Sequence, residues 1–228
     1  MTERVLVAWS GGKDSALALH KIKESDGYAV AGLLTTVTED YERISMHGVR
    51  LDLLKRQAAR LGYPLEMVFI PKECCDEDYD TRMRESLERW YDEGVRSVVF
   101  GDLYLADIRD YREKNLEKAS MKGIFPLWGS DTHSLALRFI ELGFKAVLTC
   151  VDGTVLGKDY AGREYDRNFL EKLPESVDPC GENGEFHTFV YDGPIFKKGI
   201  DMSVGRVVLR DNRFYFCDFL EKGMVESG

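Results

Sequence analysis

Residues 10–15 combine the residue types that can hold a phosphate group together with a metal ion. Their sequence, Ser-Gly-Gly-Lys-Asp-Ser, lies between a short apolar run and an apolar helical stripe. At such a junction backbone N–H groups and the positive end of a helix dipole meet, and glycines let the backbone approach an anion closely. Lys13 adds a positive charge, whereas the charge of Asp14 is useful only beside a magnesium ion. The segment therefore predicts a phosphate site that includes Mg²⁺.

This loop differs from two common phosphate-binding motifs. In GxxxxGK[ST] the first glycine would stand at Val7, and Ser or Thr would follow the lysine, where this chain has Asp14. The segment is not GxGxxG either, which disfavours the usual dinucleotide fold. The alternative is a plain glycine turn with Ser10 or Asp14 as a helix cap, worth about 1 kcal/mol. Capping alone does not require this set of residues, so we expect a ligand site.

Residues 178–188 form the second concentration of glycines and polar side chains, with the sequence Asp-Pro-Cys-Gly-Glu-Asn-Gly-Glu-Phe-His-Thr. The carboxylates of Glu182 and Glu185 could bind Mg²⁺ or an amine, or capture and deprotonate ammonia. The candidates here for contacting a polar substrate are Asn183, His187 and Thr188. A glycine-rich turn that leads into a strand at 186–190 is the simpler alternative, but a turn does not need these polar side chains.

Other candidate residues follow the carboxyl ends of predicted parallel strands, which is where such sheets bind ligands. These strand ends place Ala8, Thr35 or Thr36, Gly101 and Asp102 at one edge of the sheet. Arg109 and Glu113 come shortly after the fourth strand, and an arginine there could bind a phosphate or a carboxylate through its planar fork. A salt-bridged helix face is the alternative for this charged stretch.

Strand signals and helical stripes alternate along the first half of the chain. Strands are predicted at 5–9, 29–36, 64–70 and 97–100, and helices at 16–22, 49–61, 83–91 and 111–121. This alternation predicts an α/β, Rossmann-like parallel sheet with helices on both faces. A smaller C-terminal α+β unit follows, with a helix at 135–142, a strand at 145–151 and a closing hairpin at 204–209 and 213–219. We expect domains at 1–128 and 129–228 that pack tightly together.

The composition excludes several classes of protein. The 228 residues are 44% hydrophobic and carry 31 basic against 40 acidic side chains, a net charge of −9. Such an acidic chain is a poor candidate for binding nucleic acid through its phosphates. No apolar run is long enough to span a membrane, and none of the five cysteines forms a CxxC pair. We therefore expect a reduced cytoplasmic protein without a membrane segment.

An acidic run at 73–80 surrounds Cys74 and Cys75. A metal site is conceivable there, but adjacent cysteines do not easily bind one tetrahedral ion. Acidic residues also favour the first turn of a helix, so a solvated helix start is expected.

The loop at 10–15, at the end of the first strand, resembles the pyrophosphate loop (PP-loop) of the N-type ATP pyrophosphatases, which have an adenine nucleotide α-hydrolase-like fold. The resemblance implies that this loop holds the β- and γ-phosphates of ATP while a substrate attacks the α-phosphorus. It also implies that the segment 45–48 covers the adenine, although Met46 could equally fill the core and His47 could lie on the surface. Mg²⁺ would bind Asp14, and the predicted ATP contacts are Ala8, Ser10, Gly11, Gly12, Lys13, Asp14, Ser15, Thr35, Met46, His47 and Gly101.

The segment 181–188 resembles the signature of the diphthine–ammonia ligases, as do Asp-Gly-Pro at 192–194 and Pro-Leu-Trp at 126–128. The resemblance implies ATP-dependent amidation of diphthine, a modified histidine of translation elongation factor 2. The carboxylate would attack ATP and release pyrophosphate, and ammonia would then displace AMP. The predicted catalytic residues are Lys13, Asp14, Glu182 and Glu185, and the predicted substrate contacts are Asp102, Arg109, Glu113, Glu182, Asn183, Glu185, His187 and Thr188.

Three other functions stay open at this point. The chain could belong to a related branch that adenylates another carboxylate, it could be a nucleotide α-hydrolase that uses water, or it could be a non-catalytic ATP- or AMP-binding module. Ammonium-dependent release of AMP and pyrophosphate would separate a ligase from a hydrolase. The tRNA-thiolating relatives are disfavoured because CxxC pairs are absent and the chain is acidic. A homo-oligomer is compatible with the sequence.

Overall fold

The computed structural model describes residues 2–39, 43–44, 48–71 and 76–221. The strands are β1 (Glu3–Ala8), β2 (Tyr28–Thr38), β3 (Arg43–Ile44), β4 (Leu65–Ile70), β5 (Ser97–Val99), β6 (Lys122–Ile124), β7 (Lys145–Asp152), β8 (Phe186–Asp192), β9 (Met202–Arg210) and β10 (Phe214–Glu221). The helices are α1 (Lys13–Lys23), α2 (Leu51–Leu61), α3 (Asp76–Asp92), α4 (Ala106–Lys118), α5 (Thr132–Glu141) and α6 (Arg167–Lys172).

Five parallel strands form the first sheet, in the order β4-β2-β1-β5-β6. The two-residue strand β3 adds an antiparallel pairing to the end of β2, at Val37 and Thr38. Chain order increases outward in both directions from β1, as in a doubly wound sheet. The predicted Rossmann-like α/β fold is confirmed.

Helices cover both faces of this sheet because the side chains of each strand alternate between the faces. Val5 and Val7 of β1 belong to a core that includes α1 and α2. Leu6 points to the opposite face and belongs to a second core, which includes Leu87 of α3 and Leu116 of α4. The central strand β1 is therefore buried from both sides, as expected for the middle of a parallel sheet.

The C-terminal unit is built on a second, antiparallel sheet with the order β8-β7-β10-β9. Phe189 and Val190 of β8 belong to the same hydrophobic core as Val5 and Val7 of the first sheet. The two units thus share one continuous core, in agreement with the predicted tight packing, while the boundary at residue 128 stays a prediction. The closing hairpin is confirmed, with Asp211 and Asn212 in the left-handed conformation at its turn.

Helix α4 and its surroundings differ most from the sequence prediction. The helix begins at Ala106 rather than at residue 111, and residues 122–124 form strand β6, where a helix end had been expected. Leu116 alone is fully buried in α4, so the helix carries no strong apolar stripe to mark its start. A three-residue strand is too short to show a periodic pattern.

The first turn of α3 begins at Asp76, which fits the predicted helix start within the acidic run. Cys74 and Cys75 lie outside the described residues. Within the described ranges, no helix combines the length and apolar character that crossing a membrane requires.

Candidate active site

The loop at 10–15 lies where the strand order of the parallel sheet reverses, between β1 and its neighbours β2 and β5. In sheets of this kind the crevice at that point is the usual ligand site. Helix α1 starts at Lys13 and its N-cap residue is Gly12, so no N-cap side chain accepts a hydrogen bond from the first turn. The alternative in which Ser10 or Asp14 serves as the helix cap is therefore wrong.

Glycines allow two backbone segments, the loop that leads into α1 and the chain just after β5, to meet at this crevice. Gly11 has a φ of +79°, in the left-handed region. At Gly101, just beyond β5, a Cβ atom would lie 2.7 Å from the carbonyl carbon of Asp14. Only glycine fits there, because the backbone after β5 touches the first turn of α1.

Lys13 and Asp14 form an ion pair inside the crevice, with the lysine Nζ atom 2.9 Å from each carboxylate oxygen of Asp14. Lys13 is 3% exposed, and its Nζ atom also donates to the carbonyl oxygen of Cys180. Burial by itself would lower the pKa of Lys13, but the attraction of Asp14 together with Cys180 and Glu182 more than offsets this effect, and the net pKa is raised. Lys13 is therefore a fixed positive charge that touches both units.

The C-terminal unit closes directly onto the loop at 10–15. The backbone N–H of Lys13 donates to Thr188 Oγ1 at 3.1 Å, and the N–H of Val190 donates to the Gly11 carbonyl at 2.9 Å. Gln57 of α2, which is fully buried, donates to the carbonyl oxygens of Gly11 and Val190 at 3.0 and 2.6 Å. Its amide oxygen accepts from Trp9 Nε1 at 2.7 Å. The prediction missed Gln57, although an amide within the apolar stripe of α2 was a signal.

Glu182 lies in the cavity between the two units, close to three other acidic side chains. Burial, followed by repulsion from Asp14, raises the pKa of Glu182 to about 7, while Lys13 acts in the opposite direction. A carboxyl group with that pKa can accept a proton near neutral pH. Glu182 is thus the carboxylate in the segment 178–188 that is suited to proton transfer.

Glu185, three residues further on, has a different environment. One carboxylate oxygen accepts the N–H of Asp178 at 3.0 Å and the side-chain amide of Asn183 at 2.9 Å. The other accepts the backbone N–H of Asn183 at 3.0 Å. Glu185 is 6% exposed and does not line the cavity. These contacts show that Glu185 and Asn183 stabilise the conformation of the loop that contains them. Their predicted roles in catalysis and substrate binding stay predictions.

A single cavity of about 670 Å³ brings most of the predicted site together. The predicted residues that line it are Ala8, Ser10, Lys13, Asp14, Ser15, Thr35, Gly101, Asp102, Glu182, His187 and Thr188. Gly11 and Gly12 form the backbone of the loop beside it. Met46 and His47, the predicted cover of the adenine, lie outside the described residues.

Arg109 and Glu113 do not line this cavity. Arg109 Nε pairs with Glu113 at 2.9 Å, and its guanidinium lies 4.8 Å from the ring centres of both Phe125 and Trp128. This arrangement is the salt-bridged helix face that the sequence offered as the alternative, and a substrate contact at these positions stays a prediction. Arg112 lines the cavity instead, with Nε 2.7 Å from Asp102.

Sequence reasoning missed the wall that α3 and α4 give to the cavity. This wall consists of Tyr79, Met83, Leu87, Tyr111, Asn115 and Leu116. Met83 and Leu87 belong to the helical stripe that predicted the third helix, and this stripe packs on the second core. The same stripe also lines the cavity, because helix α4 lies beside it and leaves this part of the stripe uncovered.

The acidic side chains of the cavity fit a magnesium ion that is held mainly by phosphates. No cluster of three or more histidine, cysteine, aspartate or glutamate side chains within the described part of the chain could hold a metal ion alone. Mg²⁺ in nucleotide sites needs only one or two carboxylates, because phosphates and water complete its octahedron. Asp14 meets that need, and Asp102 lines the same cavity.

Fold and site together define a class of protein: a Rossmann-like α/β protein with a glycine-containing loop at the switch point of its sheet and a C-terminal unit packed against that loop. A family model described as the diphthamide synthase N-terminal domain matches residues 3–123. A second, the diphthamide synthase C-terminal domain, matches residues 131–220. The chain belongs to the diphthamide synthase family. The predicted family is confirmed.

Curated relatives of the chain include diphthine–ammonia ligases from several eukaryotes. The protein from Schizosaccharomyces pombe is 27% identical over 226 residues, which cover 90% of this chain and 37% of that protein. The protein from Danio rerio is 27% identical over 248 residues, covering 95% of this chain and 93% of its own length. The Mus musculus protein is 26% identical over 231 residues, which cover 90% of this chain and 85% of that protein. The chain thus spans little more than a third of the fission yeast relative.

Proposed function

We propose that the chain is an ATP-dependent amide ligase that converts the carboxylate of diphthine on translation elongation factor 2 into the carboxamide. ATP would supply AMP to activate the carboxylate, pyrophosphate would leave, and ammonia would be the nucleophile. The observation that carries this proposal is the joint placement of Lys13 and Glu182 in one cavity at the carboxyl end of β1. The names of the curated relatives support the choice of diphthine.

Lys13 has the position required for stabilising a leaving pyrophosphate. When the substrate carboxylate attacks the α-phosphorus, the bond to the bridging oxygen breaks and negative charge grows on the β- and γ-phosphates. A buried cation and the first backbone N–H groups of a helix, aimed at that charge beforehand, stabilise the transition state. Mg²⁺ held by Asp14 would neutralise part of the same charge.

Glu182 has the position and the pKa required for the second step. Ammonia attacks the adenylated carboxyl carbon, the C–O bond to AMP breaks, and one proton must leave the nitrogen. Glu182 would accept that proton, and its pKa of about 7 leaves it ionised in part at neutral pH. Two other charged pairs line the same cavity, Lys13 with Asp14 and Arg112 with Asp102.

Release of AMP and pyrophosphate, measured with and without ammonium and the diphthine-bearing factor, tests this proposal. A ligase requires both additions for rapid release of AMP and pyrophosphate in equal amounts. Release that needs neither the factor nor ammonium would indicate a nucleotide α-hydrolase. Binding of ATP without turnover under every condition would indicate a sensor module, and either result would contradict the proposal.

A further inference from the structure

An exposed apolar surface surrounds the start of α4, at the edge of the cavity. Tyr104, Leu105, Ile108 and Tyr111 are 41%, 36%, 41% and 43% exposed. Leu105, Ile108 and Tyr111 are spaced by three residues, so they follow one another along one side of the helix. We call these four residues the α4 rim. Exposed apolar side chains that cluster in this way are typical of interaction sites.

The α4 rim is not the outer edge of an internal core. Leu116 is the one fully buried residue of the thirteen in α4. The helix therefore contributes little apolar area to the core, while Ile108, Tyr111 and the N-cap residue Leu105 are exposed. Burial of these side chains against a partner would remove their apolar surface from water, and this would favour binding.

The α4 rim is continuous with the cavity of the proposed reaction. Leu105 and Tyr111 belong to the α4 rim and also line the cavity. Tyr104 donates from its hydroxyl group to Asn183 Oδ1 at 3.3 Å, on the loop that carries Glu182. A partner that covered the α4 rim would therefore lie directly over the mouth of the cavity.

The α4 rim is held in a fixed shape by a polar cluster between α3 and α4. The Tyr111 hydroxyl donates to Asp80 at 2.9 Å, and Asn115 and Lys118 donate to the same carboxylate at 3.0 Å. These bonds lower the pKa of Asp80, against the effect of its burial, so the carboxylate stays ionised. A surface fixed in this way loses little conformational entropy when a partner binds.

The charge between the apolar side chains is acidic. Asp107 and Asp110 are exposed on the first turns of α4, and Arg109, the one basic residue among them, is paired with Glu113. The first turn of the neighbouring α3 exposes Glu77 and Asp78. A partner segment that fits this surface has apolar side chains flanked by basic ones.

We propose that the α4 rim is the docking surface for the protein that carries the carboxylate substrate. This inference rests on the proposed function and adds that the substrate is recognised as part of a folded protein, through an apolar and basic segment next to the modified residue. The cavity alone would accept the modified side chain, and the α4 rim would supply the affinity for the protein.

Binding of diphthine-bearing elongation factor 2 to the full chain tests the inference independently of turnover. Ile108→Ser removes an apolar side chain that does not line the cavity, and Val208→Ser, at a 42% exposed position on β9, is the matched control. We expect Ile108→Ser to raise the Kd for the factor at least about fivefold, as loss of a central interface side chain does. Val208→Ser should leave that Kd unchanged, and both variants should bind ATP as the unmodified chain does.

Charge reversal gives a second measurement on the same surface. In the double variant Asp107→Lys with Asp110→Lys, binding of the factor should weaken by a similar factor and should depend less on salt. An isolated diphthine residue without flanking sequence, which cannot cover the α4 rim, should be bound equally by all variants. An unchanged Kd for the factor with Ile108→Ser, or no binding of the factor at all, would overturn the inference. Binding without amidation would instead contradict the proposed function alone.

Discussion

The two loops that enclose the cavity are held in place by different means. Residues 10–15 are fixed from outside, by Gln57 of α2, by Thr188 of the C-terminal unit and by the close approach of Gly101. Residues 178–188 have outside contacts too, such as the bond from Lys13 Nζ to the Cys180 carbonyl, but they are also fixed from within, because Glu185 accepts three hydrogen bonds from the loop that contains it. The first loop therefore depends on contacts with other elements, whereas the second depends in addition on one buried carboxylate of its own.

In each loop the charged residue that faces the cavity is distinct from the groups that hold the loop. Lys13 and Glu182 face the cavity, while Gln57 and Glu185 support them. The two kinds of side chain should therefore differ in what a substitution affects first: activity for Lys13 and Glu182, stability for Gln57 and Glu185.

Replacement of the lysine in the first loop should have the largest effect on activity. Lys13→Ala removes the buried charge aimed at the leaving pyrophosphate, so we expect pyrophosphate release to slow by about 10²–10³-fold. The fold should persist, because Asp14 keeps access to water at 29% exposure. Steady-state release of pyrophosphate and a thermal unfolding curve measure both effects. The control is Lys55→Ala on the exposed side of α2, and turnover near the unmodified level in Lys13→Ala would contradict the assignment.

Replacement of the cavity carboxylate in the second loop should have the next largest effect. Glu182→Gln cannot accept a proton, and we expect amide formation to fall by about 10²-fold. In the unmodified chain the rate should rise as pH increases through about 7, because Glu182 must lose its proton before it can act as a base. That rise should be absent in the variant.

The pH profile of amide formation separates this role from a structural one. Glu175→Gln, at an exposed position outside the cavity, is the matched control and should keep the rise. The same pH dependence in Glu182→Gln as in the unmodified chain would show that another group accepts the proton.

Replacement of the bracing carboxylate should act on stability first. Glu185→Ala leaves the backbone N–H groups of Asp178 and Asn183 without their acceptor, which should lower the free energy of unfolding by about 2–3 kcal/mol. ATP binding should persist, since Glu185 is not in the cavity, while product formation should fall because the loop that carries Glu182 loosens. Denaturant titration and ATP titration test the two halves of this prediction. Loss of ATP binding would instead assign the second loop to the nucleotide site.

The smallest effect is expected at the exposed ion pair of α4. Arg109→Ala removes a pairing with Glu113 at the surface and a contact with two aromatic rings, so stability should change by no more than about 1 kcal/mol. The KM for the factor should stay unchanged, whereas Arg112→Ala, which alters the cavity wall, should raise it. A tenfold rise of KM in Arg109→Ala would instead support the substrate contact that the sequence predicts for Arg109.

The parallel sheet and the cavity loops were predictable because their signals are local. Buried strands appear as apolar runs, and the glycines at 11, 12 and 101 mark places where other parts of the chain approach the backbone closely. The different tasks of Glu182 and Glu185 were not predictable, since both are glutamates beside glycine in one turn. Only the fold decides which of them points inward to Asp178 and Asn183.

The wall formed by α3 and α4 could not be derived from the sequence for another reason. Residues that line a cavity have the same periodicity as residues that fill a core, so Met83 and Leu87 look alike in either role. The start of α4 was missed because its apolar residues face solvent and the helix buries Leu116 alone. The weak apolar pattern of α4 reflects apolar side chains that lie on the protein surface. The sequence alone does not show this, because it does not tell which side chains, such as Ile108 and Tyr111, are exposed.

The most direct test of the proposed reaction is the mass of the modified histidine after diphthine-bearing elongation factor 2 has been incubated with the chain, ATP, Mg²⁺ and isotopically labelled ammonium. We expect one labelled nitrogen per factor at the diphthine carboxyl group, only when ATP is present, and none with Lys13→Ala. An unlabelled carboxyl group after ATP has been consumed would contradict amidation of diphthine by this chain.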